Sequence, residues 1–195
     1  MGGVTPGQAN PAAALLRPER AVLVLVDLQE RLLPAIAGPE AIVRNSLLLL
    51  RLAELLKVPV VLTTQYRKGL GDVVPEVRAA AAGTEALDKV SFGCFANEGF
   101  LGRLADLGGR DQLVVGGVET HICVCQTVLG ALEKSYAVHV VSDAVGSRTE
   151  ANHRVGLARM ERAGALVSST EMAVYELLGR SDAAAFKQIL PQLKG

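Results

Sequence analysis

The sequence contains no tryptophan, and only 4% of its 195 residues are aromatic. Its buried core must therefore be built mainly from aliphatic side chains. An excess of one charge sign is also missing, because 20 basic and 20 acidic residues cancel to a formal charge of zero. We therefore expect no nucleic-acid partner and no anionic membrane surface. No apolar run approaches the roughly 18 residues of a membrane-spanning helix, so a membrane partner is not expected either.

Cysteine is scarce, with three residues in the whole chain. An odd, small number does not suggest the disulfide framework of a small secreted domain. No lysine or arginine precedes the short apolar run Ala12–Leu16, so the beginning of the chain lacks the form of a signal peptide. We predict a soluble cytoplasmic protein with a flexible leader over residues 1–19 and one domain over residues 20–195.

Several motifs with known chemistry are missing as well. The sequence has neither G-x-G-x-x-G after a strand nor G-x-x-x-x-G-K-[ST], which removes the main support for dinucleotide or P-loop binding. The absence of G-x-S-x-G argues against a serine α/β-hydrolase. H-E-x-x-H is absent, and the three histidines show no metal-ligand spacing, so no metal site is expected.

Short, continuous apolar runs alternate with longer amphipathic stretches from Arg20 onward. Continuous rather than alternating runs are typical of strands covered on both faces. The pattern predicts a single-domain α/β fold, with a doubly wound, mainly parallel six-stranded sheet and helices on both faces. The predicted strands are Ala21–Val26, Val58–Leu62, Leu87–Val90, Gln112–Val115, Ala137–Val141 and Ala165–Ser168.

Cys123 follows the fourth predicted strand and a Gly-Gly turn, in the first turn of a helix predicted from about His121 to Lys134. A helix N-terminus lowers the pKa of a thiol, and its free N–H groups can hold an oxyanion. Cys123 is therefore a candidate nucleophile, although a buried small hydrophobe is the commonest role of a free cysteine. Cys125 should point to the opposite side of the same helix, and we assign it no chemistry.

Two charged residues also follow predicted strands. Asp27 ends the first strand, where it is a candidate general base for a thiol or a loop-capping residue. Lys89 lies in a short apolar stretch, where it could stabilise a thiolate or an oxyanion, or could simply be a surface lysine. Because the carboxyl ends of parallel strands meet at one edge of the sheet, Asp27, Lys89 and Cys123 together suggest an activated nucleophile.

These residues lie in segments that resemble the isochorismatase-like cysteine hydrolases. The resemblance rests on VLVLVDLQERLL (Val22–Leu33), LDKVSFGCF (Leu87–Phe95) and GGVETHICVCQTVLGALEKSYAVHVVSDAVGSR (Gly116–Arg148). It extends over about Arg20 to Leu178 and implies a Rossmann-like three-layer sandwich. It also implies a catalytic triad of Asp27 as base, Lys89 as stabilising cation and Cys123 as nucleophile.

The resemblance implies further features of the site. The family has a cis peptide bond that corresponds to Val118–Glu119, and the N–H groups of Glu119 and Cys123 would form the oxyanion hole. Gln29, Gln65, Tyr66 and Phe92 are candidate substrate-binding residues, with loop hydrogen bonding or core packing as alternatives. Whether His121 or Cys94 also lines the site is left open.

The loop after the second strand departs from the metal-binding members of this family. Nicotinamidases bind a metal there through aspartate and histidine, whereas TTQYRKGLGDVVPEV (Thr63–Val77) contains no histidine. The sequence thus resembles the metal-free isochorismatase-domain subgroup, and we expect no cofactor. The resemblance also implies a homo-oligomer, a dimer or larger.

The sequence therefore predicts an isochorismatase-family hydrolase that cleaves a small amide or related C–N bond through a covalent thioester-type intermediate. One alternative is isochorismatase-type vinyl-ether hydrolysis, which need not use the thiol. Another is a non-catalytic oligomeric scaffold with the same fold. A third is a thiol-redox protein in which Cys94 is the resolving cysteine.

Overall fold

A computed structural model describes residues 15–81 and 83–193. Six parallel strands form one sheet in the order β3-β2-β1-β4-β5-β6. This confirms the predicted doubly wound α/β architecture. The strands are β1 (Ala21–Val26), β2 (Val60–Gln65), β3 (Leu87–Lys89), β4 (Gln112–Val118), β5 (Ala137–Gly146) and β6 (Leu166–Ser168).

Eight α-helices of the described residues cover the sheet, and three short turns of 3-10 or π type interrupt the connections. The helices are α1 (Pro39–Leu56), α2 (Arg67–Leu70), α3 (Pro75–Ala80), α4 (Glu98–Asp106), α5 (Cys125–Glu133), α6 (Glu150–Arg162), α7 (Thr170–Leu178) and α8 (Ala184–Leu193). The turns are Leu33–Ala35, Cys94–Ala96 and Thr120–Val124. None of the helices within the described ranges combines the length and the apolar character needed to cross a membrane.

Alternate residues of β1 enter two separate cores. Leu23 and Leu25 belong to the core that α1 and α7 cover, whereas Val22, Val24 and Val26 belong to the core on the other face. Because side chains of a strand alternate between its faces, a run that is apolar at every position suits a strand buried on both sides.

The fourth strand is longer than the sequence pattern indicates, since it continues through the Gly-Gly pair to Val118. A Cβ atom built on Gly117 would lie 2.0 Å from the Val26 carbonyl oxygen, and its φ is +113°. Gly117 therefore lies within β4 and not in a turn. Its missing side chain allows the backbone of β4 to approach β1 closely. This approach brings the end of β4 next to Asp27.

Residues 1–14 of the predicted leader lie outside the described residues. The rest of it, residues 15–19, packs against the domain. Leu16 is buried in the core, and its N–H donates to the Glu176 carboxylate at 3.0 Å. The Gln112 side chain accepts from the Arg17 N–H at 2.8 Å and donates to the Leu15 carbonyl at 3.0 Å. These contacts hold residues 15–17 at the amino-terminal end of β4.

Candidate active site

Asp27 and Lys89 form a buried ion pair at the carboxyl edge of the sheet. The Lys89 Nζ lies 2.7 Å from Asp27 Oδ2, and both side chains are inaccessible to solvent or nearly so. Lys89 Nζ also donates to Gln65 Oε1 at 2.8 Å. The strand order brings Asp27, Gln65 and Lys89 together, because β1, β2 and β3 are neighbours and their carboxyl ends lie side by side.

Thr63 completes the environment of the Asp27 carboxylate, and nothing in the sequence pattern singles it out. Its hydroxyl donates to Asp27 Oδ1 at 2.7 Å, while Lys89 occupies Oδ2. Both carboxylate oxygens therefore have a fixed donor. Such buried, charge-assisted hydrogen bonds hold a carboxylate in one orientation.

Gln29 and Gln65 support the ion pair through hydrogen bonds inside the protein. Gln29 is fully buried; its amide accepts from the Gln65 N–H at 2.7 Å and donates to the carbonyls of Gln65 and Gly71. The Gln65 amide donates to the Val90 carbonyl at 2.9 Å besides accepting from Lys89. These contacts match the loop hydrogen bonding that the sequence left as the alternative to substrate binding.

Cys123 lies on the π-helical turn Thr120–Val124 and not in the first turn of an α-helix. The turn is recognised by its i to i−5 hydrogen bonds, from Val124 N–H to the Glu119 carbonyl and from Cys125 N–H to the Thr120 carbonyl. α5 begins only at Cys125. Such single-turn π segments occur often at functional sites.

The prediction that the helix start lowers the pKa of the Cys123 thiol is wrong, because this pKa is raised. The pKa of the Cys123 thiol is raised to about 12, mainly by burial and in addition by the nearby Asp27 carboxylate. Lys89 acts in the opposite sense without reversing the effect. A raised pKa favours the neutral thiol at neutral pH, with the Asp27 carboxylate close by.

Thr127 ties the cysteine turn to the segment after β3. Its hydroxyl donates to the Cys123 carbonyl at 2.7 Å and accepts from the Cys94 N–H at 3.0 Å. Cys94 is fully buried; burial raises the pKa of its thiol to about 11, and hydrogen bonds with Thr127 and Thr63 oppose this rise. Cys94 is thus a buried neighbour of the turn that carries Cys123.

The Val118–Glu119 peptide bond is cis, as the resemblance implied. The Glu119 carboxylate accepts from the backbone N–H and from Nε of Arg148, both at 3.1 Å. The Glu119 carbonyl accepts from Ile122 and Val124. Among the described residues, no acceptor takes the Glu119 N–H, and a free N–H at this position suits an oxyanion hole.

Two histidines and a glycine hold the outer side of the turn. His153 on α6 lies 3.0 Å from the Thr120 hydroxyl, and His121 lies 3.0 Å from the Ser147 hydroxyl. A Cβ atom on Gly156 would approach the backbone of His121 and Thr120 to 3.1 Å or less. α6 therefore packs directly on the turn that carries Cys123, a contact that no sequence motif indicated.

The remaining candidates lie at the periphery of the site. Tyr66 and Phe92 are about half exposed, and the Tyr66 ring packs on Gly69. Cys125 is buried, and its thiol lies close enough to Arg159 of α6 for that charge to lower its pKa against the larger effect of burial. Cys123 and Cys125 therefore face different partners.

A metal of the nicotinamidase kind does not fit the donors present. Within residues 15–81 and 83–193, no three His, Cys, Asp or Glu side chains converge in a way that could hold an ion. The loop after β2 uses Asp72 to accept from Arg78 and from the Val73 N–H. We therefore derive no chemical step through a metal.

Known proteins share this arrangement over nearly the whole chain. The family model of the isochorismatase domain matches residues 21–172. Isochorismatase domain-containing protein 2A of Mus musculus is 36% identical over 189 residues, covering 95% of this chain and 88% of the relative. Secreted isochorismatase effector Isc1 of Phytophthora sojae is 35% identical over 182 residues, covering 92% of this chain and 87% of the relative.

Solved structures agree with the sequence relatives. A structure described as MAR1 ribonuclease from Caenorhabditis elegans matches with a TM-score of 0.87 and 32% identity over 93% of each chain. The YcaC gene product of Escherichia coli, described as an octameric hydrolase of unknown specificity, matches with a TM-score of 0.86 and 29% identity over 91% of this chain and 90% of that chain. Since the family match extends from β1 to the first turn of α7, the chain belongs to the isochorismatase family.

Proposed function

We propose that this isochorismatase-family protein is a cysteine-dependent hydrolase of a small amide or related C–N bond. The observation that carries the proposal is the position of the Asp27 carboxylate. It pairs with the Lys89 ammonium at 2.7 Å and lies close enough to the Cys123 thiol to raise the pKa of that thiol. A nucleophile with a base and a fixed cation beside it has the parts of an activated nucleophile.

The raised pKa of Cys123 supports the role of Asp27 as base. A thiol whose pKa is raised attacks only after its proton leaves, and Asp27 is the carboxylate whose charge acts on it. Lys89 keeps the carboxylate oriented, with Thr63 on the other oxygen. The raised pKa of the thiol therefore favours proton transfer during attack over a stored thiolate.

The proposed reaction has two stages. Cys123 Sγ bonds to the substrate carbonyl carbon while its proton passes to Asp27, and the N–H groups of Glu119 and Cys123 hold the resulting oxyanion. The C–N bond then breaks, the amine leaves with the proton from Asp27, and a thioester remains on Cys123. Water gives a proton to Asp27 and attacks the thioester, which releases the acid and returns the proton to sulfur.

Separate replacement of the two neighbouring cysteines provides the test. In a panel of small amides, we expect Cys123→Ala to lower turnover about a thousandfold or more, as loss of a nucleophile usually does. Cys125→Ala is the matched control and should retain turnover, because Cys125 faces α6. Intact-mass analysis of wild-type protein during turnover should show an acyl adduct on Cys123.

The alternatives predict different results from the same variants. Full turnover of a vinyl ether by Cys123→Ala would support isochorismatase-type chemistry instead. A Cys123 that forms no adduct, together with absence of turnover across the panel, would support a non-catalytic scaffold. A Cys94–Cys123 bridge formed under mild peroxide would support the redox alternative.

We also propose that the protein is a homo-oligomer in the cytoplasm. The octameric description of the related Escherichia coli protein supports assembly. The cytoplasmic part rests on the small, odd number of cysteines in this sequence, and one relative is described as a secreted effector. Native mass spectrometry measures the assembly, and fractionation of cells measures the location.

A further inference from the structure

Helix α6 carries an outer surface that combines small apolar side chains with arginines. The inner side of α6 is buried through Gly156 and Met160, whereas Val155 on the outer side is 67% exposed. The residues that line this outer surface are Ala151, Arg154, Val155, Ala158, Arg159 and Arg162. Their spacing of three and four residues places them on one side of the helix. We call this surface the arginine face.

The cations of the arginine face are available to a partner. Arg159 and Arg162 form no ion pair within the described residues. Arg154 lies 3.9 Å from Glu150, and exposed pairs of this kind contribute little. Apolar surface with a polar rim is a common feature of protein-binding sites.

A second surface has the opposite charge. It is a groove between the loop after β1, the outer side of α1 and the start of α3. Val43 and Leu47 contribute apolar side chains, and the charged residues are Glu30, Glu40 and Glu76 against the single arginine Arg44. Among the described residues, none of the three glutamates forms an ion pair. We call this surface the glutamate groove.

The arginine face and the glutamate groove lie in opposite layers of the fold. Ile42 and Leu49 of α1 enter the core on one side of the sheet, whereas Met160 of α6 enters the core on the other side. The two surfaces of one chain therefore cannot meet each other. A contact between copies would join the arginine face of one to the groove of the next, and such head-to-tail contacts produce rings when the rotation closes.

We infer that the partner of the arginine face is the glutamate groove of a second copy of this chain. The exposed Val155 would pack on Val43 and Leu47, as the apolar side of a helix does in a groove. The arginines would meet the glutamates, and such complementary charge fixes the register of an interface. This inference rests on the proposed homo-oligomer, because it names the surfaces through which the copies join.

Reversal of charge on either surface tests the contact. Arg159→Glu/Arg162→Glu makes the arginine face acidic, and Glu40→Lys/Glu76→Lys makes the glutamate groove basic. Each variant then carries two surfaces of like charge. In native mass spectrometry of either variant alone, we expect an assembly of about half the wild-type mass or less, because like charges oppose the contact.

A matched control separates this contact from the effect of net charge. Lys134→Glu/Lys187→Glu changes the net charge as much as the variant of the arginine face does. Both lysines are exposed and lie outside the two surfaces. The control should retain the wild-type mass, and circular dichroism would verify that all three variants are folded.

A mixture of the two charge-reversed variants should recover the assembly. The acidic α6 of the first variant then faces the basic groove of the second. The unchanged arginine face of the second variant faces the unchanged groove of the first, so every contact is complementary again. We expect assemblies of wild-type size that contain both chains in equal numbers. Recovery requires folded copies, so it distinguishes a lost contact from a misfolded variant.

The possible failures are distinguishable. A monomeric wild-type protein would contradict the proposed homo-oligomer and the inference together. An oligomeric wild type whose mass neither variant changes would overturn the inference alone. Smaller assemblies that do not recover in the mixture would also overturn it, because the two surfaces would then not contact each other.

Discussion

Asp27 is the residue on which the geometry of the site depends. It stands just beyond β1 with a positive φ of 54°, a conformation that is uncommon for a side chain other than glycine. One carboxylate oxygen accepts from Thr63, the other accepts from Lys89, and the charge of the carboxylate raises the pKa of the Cys123 thiol. One side chain therefore links β1, β2, β3 and the turn after β4.

Replacement of Asp27 by asparagine separates its charge from its role as base. The Asp27 charge raises the pKa of Cys123, so Asp27→Asn should lower that pKa and move the pH profile of Cys123 alkylation to lower pH. Turnover should nevertheless fall about a hundredfold or more, because the proton acceptor is lost. Alkylation rates across pH and amide turnover measure the two effects.

Asp88→Asn is the matched control for this prediction. Asp88 lies next to Lys89 in β3, but its carboxylate accepts from the Thr64 hydroxyl and the Arg67 N–H. Its replacement should leave the alkylation profile of Cys123 in place. A shift to higher pH in Asp27→Asn would contradict the assigned electrostatics.

Among the secondary-structure elements, the π turn and α6 position Cys123, the proposed nucleophile. The turn has only five residues, and its outer side rests on α6 through Gly156 and the His153–Thr120 contact. Gly156 lies in the middle of α6, where alanine would normally be the better helix former. Its presence is explained by the backbone of His121 and Thr120, which leaves no room for a Cβ atom.

Gly156→Ala should therefore displace α6 from the turn Thr120–Val124. We expect a loss of about 1–3 kcal/mol in the free energy of unfolding, as overpacking usually causes, and a fall in turnover. Urea unfolding and amide turnover are the measurements. Gly102→Ala in α4 is the matched control, because a Cβ atom there would meet nothing within 4 Å beyond the backbone of its own helix. This variant should raise the free energy of unfolding by about 0.5–1 kcal/mol. Equal effects of the two variants would contradict the packing role assigned to Gly156.

At the scale of the whole molecule, the pH dependence of stability should reflect a buried histidine on β5. His139 lies on β5 beside Val114 and Leu166, and its Nε2 has no hydrogen-bond partner among the described residues. Burial lowers the pKa of His139 below 6.5, and Glu176, whose carboxylate lies 3.9 Å away, opposes the shift only in part.

The sign of the effect follows from proton binding. Because the folded-state pKa of His139 is below its ordinary value, the unfolded chain binds more protons at mildly acidic pH. Above about pH 6.5 the histidine is neutral in both states, so it adds no pH dependence to the free energy of unfolding. As the pH falls below that value, the free energy of unfolding decreases by at most about 1.4 kcal/mol per pH unit.

His139→Leu should remove this part of the pH dependence. Free energies of unfolding at about pH 5.5 and about pH 7.5 should differ less in the variant than in the wild type, since leucine binds no proton. Between about pH 7.5 and pH 8.5 the two proteins should show the same change, which is the internal control. The same acid loss in both proteins would assign the effect to other groups, His153 among them, because burial lowers its pKa as well.

The sequence by itself determined the alternation of strands and helices, the doubly apolar β1, and three chemistry-bearing residues at strand ends. These were predictable because parallel strands place their carboxyl ends at one edge, whatever the details of packing. The Asn97 side chain caps α4 by accepting from the Phe100 N–H, a local interaction that asparagine commonly makes before a helix. Local pattern and topology are sufficient for such features.

Only the tertiary structure decided the partners of those residues. Thr63, Thr127 and Gly156 contact residues far away in the chain, so no local pattern distinguishes them from ordinary strand or helix residues. The raised pKa of Cys123 likewise depends on burial and on the distance to Asp27, which outweigh the local effect of a helix start. Long-range contacts and desolvation are properties of the folded chain, and therefore the folded chain alone sets the chemistry of this site.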